Sequence, residues 1–369
     1  MTYLDFGATS LRKPRQVGEA VRWAMEHCAN PGRGGYGAAM EAARVVFDCR
    51  ERAGKLFDCE PEQVVFTANC THGLNIAIRS LVQPGDRVVI SGFEHNAVTR
   101  PLHVLGAERV VAGRKLFDWE DTLSRFEDAL KQRPKAAVFT HVSNVFGYIL
   151  PVEQMAALCR DRGIPFILDA AQSAGSIPVS LKKLGAEFIA MPGHKGLLGP
   201  QGTGLLLCGR EGTPLLAGGT GSDSRLQDMP EYLPERLEAG TVNVPGIAGL
   251  SAGLTFLQQT GIENIGIREH REAARCAEGL RKLGCKVFCG PHQAGTVSFL
   301  PEGDCEVVAE ALGRQGIALR AGLHCAPLAH ESAGTLETGT VRISFGWDAK
   351  AAQTRHLLGA VSKQRDRKS

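Results

Sequence analysis

Along the first two-thirds of the chain, short apolar runs rich in β-branched residues alternate with longer stretches whose apolar positions recur at helical spacing. EQVVFTAN (62–69) leads into THGLNIAIRSLV, DRVVISGF (86–93) into NAVTRPLHVL, and ERVVAG into WEDTLSRFEDALKQR. KAAVFTHVS (135–143) leads into PVEQMAALCRDRG, followed by PFILDAA (165–171), EFIAM (187–191) and an antiparallel-looking TGLLLCG. Strands alternating with helices predict an α/β fold built on a mainly parallel seven-stranded sheet covered on both faces. After about residue 245 the texture changes. GIAGLSAGLTFLQQTG and ENIGIREHREAARCAEGLRKLG predict helices, and CKVFCG, GTVSFL, a helix near 304–315, IALRAG, TVRISFG and a last helix predict a smaller α+β unit. The glycine-rich piece 209–224 is expected to be a mobile loop near the site.

In such sheets ligands bind beyond the carboxyl ends of the strands. The polar residues expected there are Thr71, His95, Asn144, Asp169, Gln172 and the pair His194-Lys195. Lys195 stands in MPGHKGLLGPQGTG (191–204), among five glycines. The loop alone permits two readings: a solvated surface turn, or a lysine held where glycines let a ligand approach the backbone.

Composition narrows the class. With 369 residues, 43% of them hydrophobic, the chain is an ordinary globular one, long enough for a large and a smaller domain. A formal net charge of +3 with scattered basic residues gives no footprint for nucleic acid, and the tail KQRDRKS reads as a frayed, solvated end. The first residues, MTYLDFGATSLRKP, carry no apolar signal core, and no apolar run approaches the length of a membrane span, so a cytoplasmic location is expected. Eleven cysteines, an odd number, read as free thiols of a reducing compartment. Cys285 and Cys289 are expected to be small buried hydrophobes rather than metal ligands.

Asp169 ends a strand so apolar that an isolated carboxylate there is costly without a cationic partner, and Lys195 follows about one strand later. The pattern DAAQSAG followed by PGHKGLLGPQGTG resembles the fold-type-I pyridoxal-phosphate enzymes, specifically the class V aminotransferase family with its cysteine desulfurase and selenocysteine lyase members. The resemblance covers nearly the whole chain. It implies a cofactor-binding large domain at 15–255 and a small domain made of 1–14 and 256–369. In it Lys195 forms the covalent link to pyridoxal 5'-phosphate and Asp169 keeps the pyridine nitrogen protonated. TANCTHGLN is similar to the family's phosphate-binding turn, which places Thr71, with Cys70 beside it, at the phosphate. FEHNAV makes His95 the ring stacked on the cofactor, and SNVFG places Asn144 near its 3-hydroxyl with Gln172 as companion. YLDFGATS looks like the opening substrate-side segment. LEAGTVNVPGI is similar to a segment whose threonine, here Thr241, reaches the phosphate of a partner subunit, which implies a homodimer with shared active sites.

RAGLHCAPL (320–328) is similar to the desulfurase R-x-G-x-x-C segment and makes Cys325 the nucleophile, with Arg320 or His324 as cations lowering its pKa. VRISFG carries Arg342, matched to the arginine that grips the substrate carboxylate; Arg320 and Asn144 are further substrate-side candidates. The short spacing from Cys325 to Arg342 resembles the group II desulfurases. The chain departs from the family where Pro192 replaces a phosphate-binding serine, and where Cys70 and His72 replace a threonine and a glutamate. Phosphate binding then leans on Thr71, His194, backbone amides and Thr241. The resemblance implies conversion of L-cysteine to L-alanine with a persulfide on Cys325, selenocysteine as a further substrate, and a protein sulfur acceptor. Another class V aminotransferase or a β-lyase, for which Cys325 is dispensable, is the alternative; the intact Asp169, His194, Lys195 set argues against a non-enzymatic binding platform.

Overall fold

The structure is a computed structural model that describes residues 1–32 and 34–366. Seven strands form its central sheet, in the order Val64–Thr67, Gly204–Cys208, Phe188–Pro192, Phe166–Asp169, Ala136–Thr140, Arg87–Ser91, Glu108–Ala112. Neighbours from Phe188–Pro192 to Glu108–Ala112 run parallel, whereas Gly204–Cys208 is antiparallel to both of its partners. That double reversal returns Val64–Thr67 to the common direction. The interior strands are buried along their whole length, as parallel strands covered on both faces must be. Register then fixes the site: Thr140 stands opposite Asp169, so two strands end together, and Asp169 stands opposite Ala190, two residues before the third strand ends at Pro192.

Two helices that the periodicity of the chain did not assign, Arg15–His27 and Gly37–Phe57, precede the first strand of this sheet. Both pack on Val244–Thr260, a helix apolar on every side and rich in small residues. Its glycines permit close approach: a Cβ on Gly249 would meet Pro200 and Val21, and one on Gly253 would meet the backbone of Leu197. The segment just after Lys195 therefore rests directly on this helix.

The C-terminal part forms a second sheet, Arg320–Gly322, Thr340–Ser344, Thr296–Leu300, Lys286–Phe288, all antiparallel. Thr2–Tyr3 pairs in parallel with Ile317–Ala318, and Leu4 is buried with Ala273, Val297, Phe299 and Ile343. The chain's start thus shares a core with its end. Cys285 and Cys289 flank the short edge strand and are only partly buried, because an edge strand has a neighbour on one side alone. The basic tail departs from the expected frayed end in its first residues, which continue the helix Ala351–Asp366; residues 367–369 lie outside the described residues. Among the described residues no helix is long and apolar enough to cross a membrane.

A buried ion pair ties these layers together. Arg50 Nη1 donates to Glu238 Oε1 at 2.9 Å and Nη2 to Oε2 at 2.5 Å, while Phe66 N donates to Oε1 at 2.5 Å. Arg50 also donates to Val64 O and lies over the Phe66 ring. With side chains 11% and 7% exposed, neither partner has water to fall back on. Replacing Glu238 by Ala strands a buried guanidinium, and should lower unfolding free energy by about 3–5 kcal/mol, read from urea denaturation. A loss below about 1 kcal/mol, the scale of an exposed pair, would contradict this.

Candidate active site

The lysine loop begins where Phe188–Pro192 ends, and its glycines answer the question its sequence raised. A Cβ on Gly193 would overlap the Thr203 side chain, and one on Gly175, at φ +98°, would overlap the Gly196 backbone. Backbone therefore packs on backbone around Lys195, which sets the lysine at one position. The N-terminal segment clasps the loop from the other side: Ser10 N and Ser10 Oγ both donate to His194 O at 3.0 Å, and His194 Nδ1 bonds Thr9 Oγ1 at 3.0 Å. The solvated-turn reading is excluded, since Lys195 faces an interior cavity.

That cavity has a volume of about 200 Å³. Cys70, Thr71, His95, Asn144, Asp169, Gln172, His194 and Lys195 all line it, as do Pro192 and Thr140. Eight residues singled out from sequence, scattered over some 125 positions of chain, thus converge. Burial pushes the Asp169 carboxyl up, opposed by the Ala171 amide, the Lys195 charge and the Cys70 thiol. Burial likewise pushes the Lys195 ammonium down, opposed by Asp169. Both hydrogen bonds accepted by Asp169, from Ala171 N at 2.9 Å and Cys70 Sγ at 3.5 Å, fall on Oδ1. Oδ2 is the oxygen left for a ring nitrogen. The Cys70 thiol, well above its ordinary pKa through burial, stays protonated and serves as a donor.

The helix Cys70–Leu81 points its N-terminus at the same cavity. Asn69 caps it by accepting from His72 N at 2.9 Å, which leaves the amides of Cys70 and Thr71, the first two of the helix, without intrahelical acceptors. Free amides and the positive end of the helix suit a phosphate. Pro192 lines the cavity and offers neither N–H nor hydroxyl there. A buried carboxylate with a free oxygen, a half-buried amine and an anion-binding helix end together fit pyridoxal phosphate.

His95 forms the N-cap of the helix Asn96–Val104, and its Nδ1 accepts from Ala97 N at 3.0 Å. An amide can only donate, so the ring proton of the neutral imidazole is on Nε2. Burial, followed by the charges of Lys195 and Arg342, lowers His95 to about 4, so it is neutral near pH 7. Behind it, Glu94 is fully buried and accepts from Ser91 Oγ, Ser91 N and Thr140 N. It braces the strand end that carries His95 against the strand end that carries Thr140.

The segment with Cys325 sits at the rim. His324 and Cys325 both adopt left-handed backbone, φ +50° and +55°, a conformation non-glycine residues hold only when tied down. The ties are present: Asn96 N donates to Cys325 O at 2.8 Å, and Asn144 Nδ2 donates to His324 O at 2.7 Å. The backbone of Cys325 is thus fastened to neighbours of His95 and to a cavity residue, while Cys325 itself is exposed.

Several expectations need correction here. His324 does not supply a cation to Cys325: its Nε2 bonds Thr340 O at 3.1 Å, and burial pushes it down to about 2. Arg320 is not aimed at the cavity; its guanidinium grips Asp5 Oδ2 at 2.9 and 3.2 Å. Arg342, 3% exposed, donates to Asp5 Oδ1 at 2.8 Å and to Asn144 O at 3.1 Å. The piece 209–224 lies away from the cavity, beside the Thr241 segment, where Gly240 N donates to Gly219 O at 2.8 Å. Thr241 lines a groove with His72, Gly202 and Leu216, separate from the cavity of Lys195 in the same chain.

Asp5 is the residue whose part the sequence concealed. It lies in YLDFGATS, and its signal was a lone carboxylate between apolar neighbours. Asn96, Thr140 and Glu94 were likewise unmarked, because each acts through a contact far from it in sequence.

Comparison with known proteins agrees with this geometry. The chain is 33% identical to a probable cysteine desulfurase of Methanothermobacter thermautotrophicus, covering 98% of this chain and 94% of that one. It is 34% identical to one of Pyrococcus abyssi, covering 98% and 93%. Among solved structures, the apo cysteine desulfurase from Thermococcus onnurineus NA1 superposes with a TM-score of 0.89 at 32% identity, covering 98% of this chain and 94% of that chain. The sequence profile of the class-V aminotransferases matches residues 2–357. By the match of this profile over nearly the whole chain and by these relatives, the chain belongs to the class-V aminotransferase family of pyridoxal-phosphate enzymes.

Proposed function

We propose that the chain is a cysteine desulfurase that takes L-cysteine, leaves a persulfide on Cys325 and releases L-alanine. The observation that carries this reading is the exposed Cys325 whose backbone is fastened to Asn96 and Asn144 at the cavity rim. Relatives bearing the same name support it. A cavity built for transamination alone has no use for a thiol held there.

When bound, pyridoxal phosphate supplies a protonated ring that accepts electron density from the substrate's α-carbon. Lys195 would hold it covalently, and its Nζ, kept less basic than usual by burial, would be the group that accepts and returns the proton of the substrate's α-carbon. Asp169 Oδ2 would keep the ring nitrogen protonated. Thr71 with the first-turn amides would hold the phosphate, and His95 and Gln172, which line the same cavity, would hold the ring. Arg342, with Asn144 beside it, receives the substrate carboxylate. Cys325 Sγ, having given up its proton, then forms a bond to the substrate sulfur as the carbon–sulfur bond breaks; the electron pair goes to the β-carbon, which takes a proton, and the proton held by Lys195 returns to the α-carbon to complete alanine.

The same reading includes a large domain at 15–255 and a small one of 1–14 with 256–369, supported by the burial of Leu4 in the C-terminal core. It includes a short, tethered Cys325 segment of the group II kind and L-selenocysteine as a further substrate. It places the protein in the cytoplasm, with a protein as final sulfur acceptor. The working unit is a homodimer in which Thr241 serves the partner's phosphate. Its position in a groove apart from its own cavity, which Pro192 leaves one hydroxyl short, supports that assignment.

Cys325→Ala should bind cofactor normally and still change the cofactor's absorbance on adding L-cysteine, yet accumulate no persulfide and release alanine at a small fraction of the wild-type rate. Mass spectrometry of wild type after brief exposure to L-cysteine should show one added sulfur on the Cys325 peptide. Sulfur on another cysteine, or an undiminished Cys325→Ala, would assign the chain to the aminotransferases or β-lyases.

Thr241→Ala should weaken cofactor retention about ten- to a hundredfold, the scale of one charge-assisted hydrogen bond, measured by dialysis against free cofactor. Mixed dimers of Thr241→Ala with Lys195→Ala subunits should retain one intact site. A fully active monomer in sedimentation would refute the shared site.

His324 generates a pH prediction. Its folded pKa of about 2 lies below the ordinary value near 6.5, so between these values the unfolded chain binds the extra proton. The stability tied to a neutral His324 is present in full above about pH 6.5 and falls as pH drops below it. Urea midpoints should decline with a shallower slope between pH 6.5 and 4.5 in His324→Asn than in wild type; equal slopes would remove His324 from the balance.

A further inference from the structure

Two arginines that the sequence assigned to the substrate meet on one internal carboxylate. Asp5 Oδ1 accepts from Arg342 Nη2 at 2.8 Å, and Oδ2 accepts from Arg320 Nη2 at 2.9 Å and Nε at 3.2 Å. The partners differ in surroundings: the Arg342 side chain is 4% exposed, that of Arg320 54%, and that of Asp5 12%. Arg342 belongs to the site, because its Nη1 donates to Asn144 O at 3.1 Å and Asn144 lines the cavity. Its Nε is buried without a partner. Among the described residues, Asp5 is thus the one carboxylate on a guanidinium that still has an unused donor.

We propose that Asp5 is a specificity-determining residue that competes with the substrate, its carboxylate occupying Arg342 in the free enzyme and retreating onto Arg320 when the carboxylate of an α-amino acid arrives. This rests on the role given above to Arg342. A buried guanidinium without a counter-ion is strongly destabilising, so an enzyme that waits for an anionic substrate needs an internal stand-in. Two carboxylates on one arginine repel, so the stand-in must have somewhere to go. Arg320 supplies it, already bonded twice to Oδ2 and facing solvent. The backbone need not move: Leu4 is held by Ser344 N and Ala318 O at 2.8 Å, and Gly7 N donates to Ser344 Oγ at 2.7 Å. Only the Asp5 side chain turns. Affinity for α-amino acids is then set by a contest between Arg342 and Arg320 for one carboxylate, and an amine without a carboxylate escapes the contest.

The test titrates the cofactor absorbance of the holoenzyme with L-alanine and with ethylamine, the same amine without the carboxylate. Neither probe involves Cys325, so the outcome is independent of desulfurase activity. Asp5→Asn should lower the half-saturating L-alanine concentration about tenfold, the scale of one like charge removed from a partly buried site, and leave ethylamine within about twofold. Arg320→Gln, a surface change that leaves the buried pair intact, should raise the L-alanine value several-fold. In the Asp5→Asn background, Arg320→Gln should have no effect, since Arg320 acts only through Asp5. The proposal falls if Arg320→Gln leaves L-alanine binding unchanged or tightens it, if Asp5→Asn weakens that binding, or if the Arg320 effect survives without Asp5. If Arg342→Lys leaves L-alanine binding unchanged, the carboxylate role of Arg342 falls and this proposal with it. If Arg342→Lys weakens binding but Asp5→Asn fails to tighten it, this proposal alone falls.

Discussion

The rest of the structure depends on one constraint: Asp169 and Lys195 are opposite charges that both face an interior cavity. Each alone would be driven toward its neutral form, the carboxyl upward and the ammonium downward, and the structure shows both tendencies. Only mutual attraction and a few hydrogen bonds keep them useful. That requires fixed positions, and parallel strands in register provide one of them by ending Phe166–Asp169 beside Phe188–Pro192. The other position comes from packing. Glycines at 175, 193, 196, 249 and 253 let the lysine loop lie on backbone from two sides, so the flexible residues of that loop end in its most constrained conformation.

The N-terminal segment performs a comparable task between parts of the molecule. It pairs with Ile317–Ala318, supplies Asp5 to Arg342, gives Gly7 O to Gln172 Nε2 at 2.9 Å, and clasps His194 through Thr9 and Ser10. Residues 2–10 thus connect the strand that carries Arg342 to the loop that carries Lys195. Any displacement of the C-terminal sheet relative to the cavity is transmitted along this segment.

What could be read from the sequence follows from the range of the interactions involved. The sheet strands were legible because each is a short apolar run, fully buried in the interior of the sheet, and most are followed by a helix. Asp169, Lys195, His95 and Asn144 were legible because strand ends collect functional groups and because their order matched a known family. The helices Arg15–His27 and Gly37–Phe57 were not, since they are stabilised by small-residue contacts with Val244–Thr260, some two hundred positions away. The roles of Arg320 and His324 were misjudged for the same reason. Their side chains were read beside Cys325 in sequence, whereas Asp5 and Thr340 claim them in space. A motif gives the neighbours along the chain, and the charge state belongs to the neighbours across it.

Exposure also sets one of the eleven cysteines apart from the rest. Burial pushes Cys49, Cys59 and Cys159 up to about 12, and Cys70 well above its ordinary value. As thiols, these are poor nucleophiles. Cys70 is the instructive case, because it lines the very cavity in which sulfur would be released and lies within hydrogen-bonding distance of Asp169. Its proton is held by the low polarity around it and by the carboxylate itself, so it donates where a thiolate would attack. Cys325 is the exposed member of the set, and its left-handed backbone, fastened at both carbonyls, presents it at the rim without burying it. Solvation thus distinguishes identical side chains: the sheet keeps the Cys70 thiol dry inside the cavity, and the rim keeps Cys325 in water at its mouth.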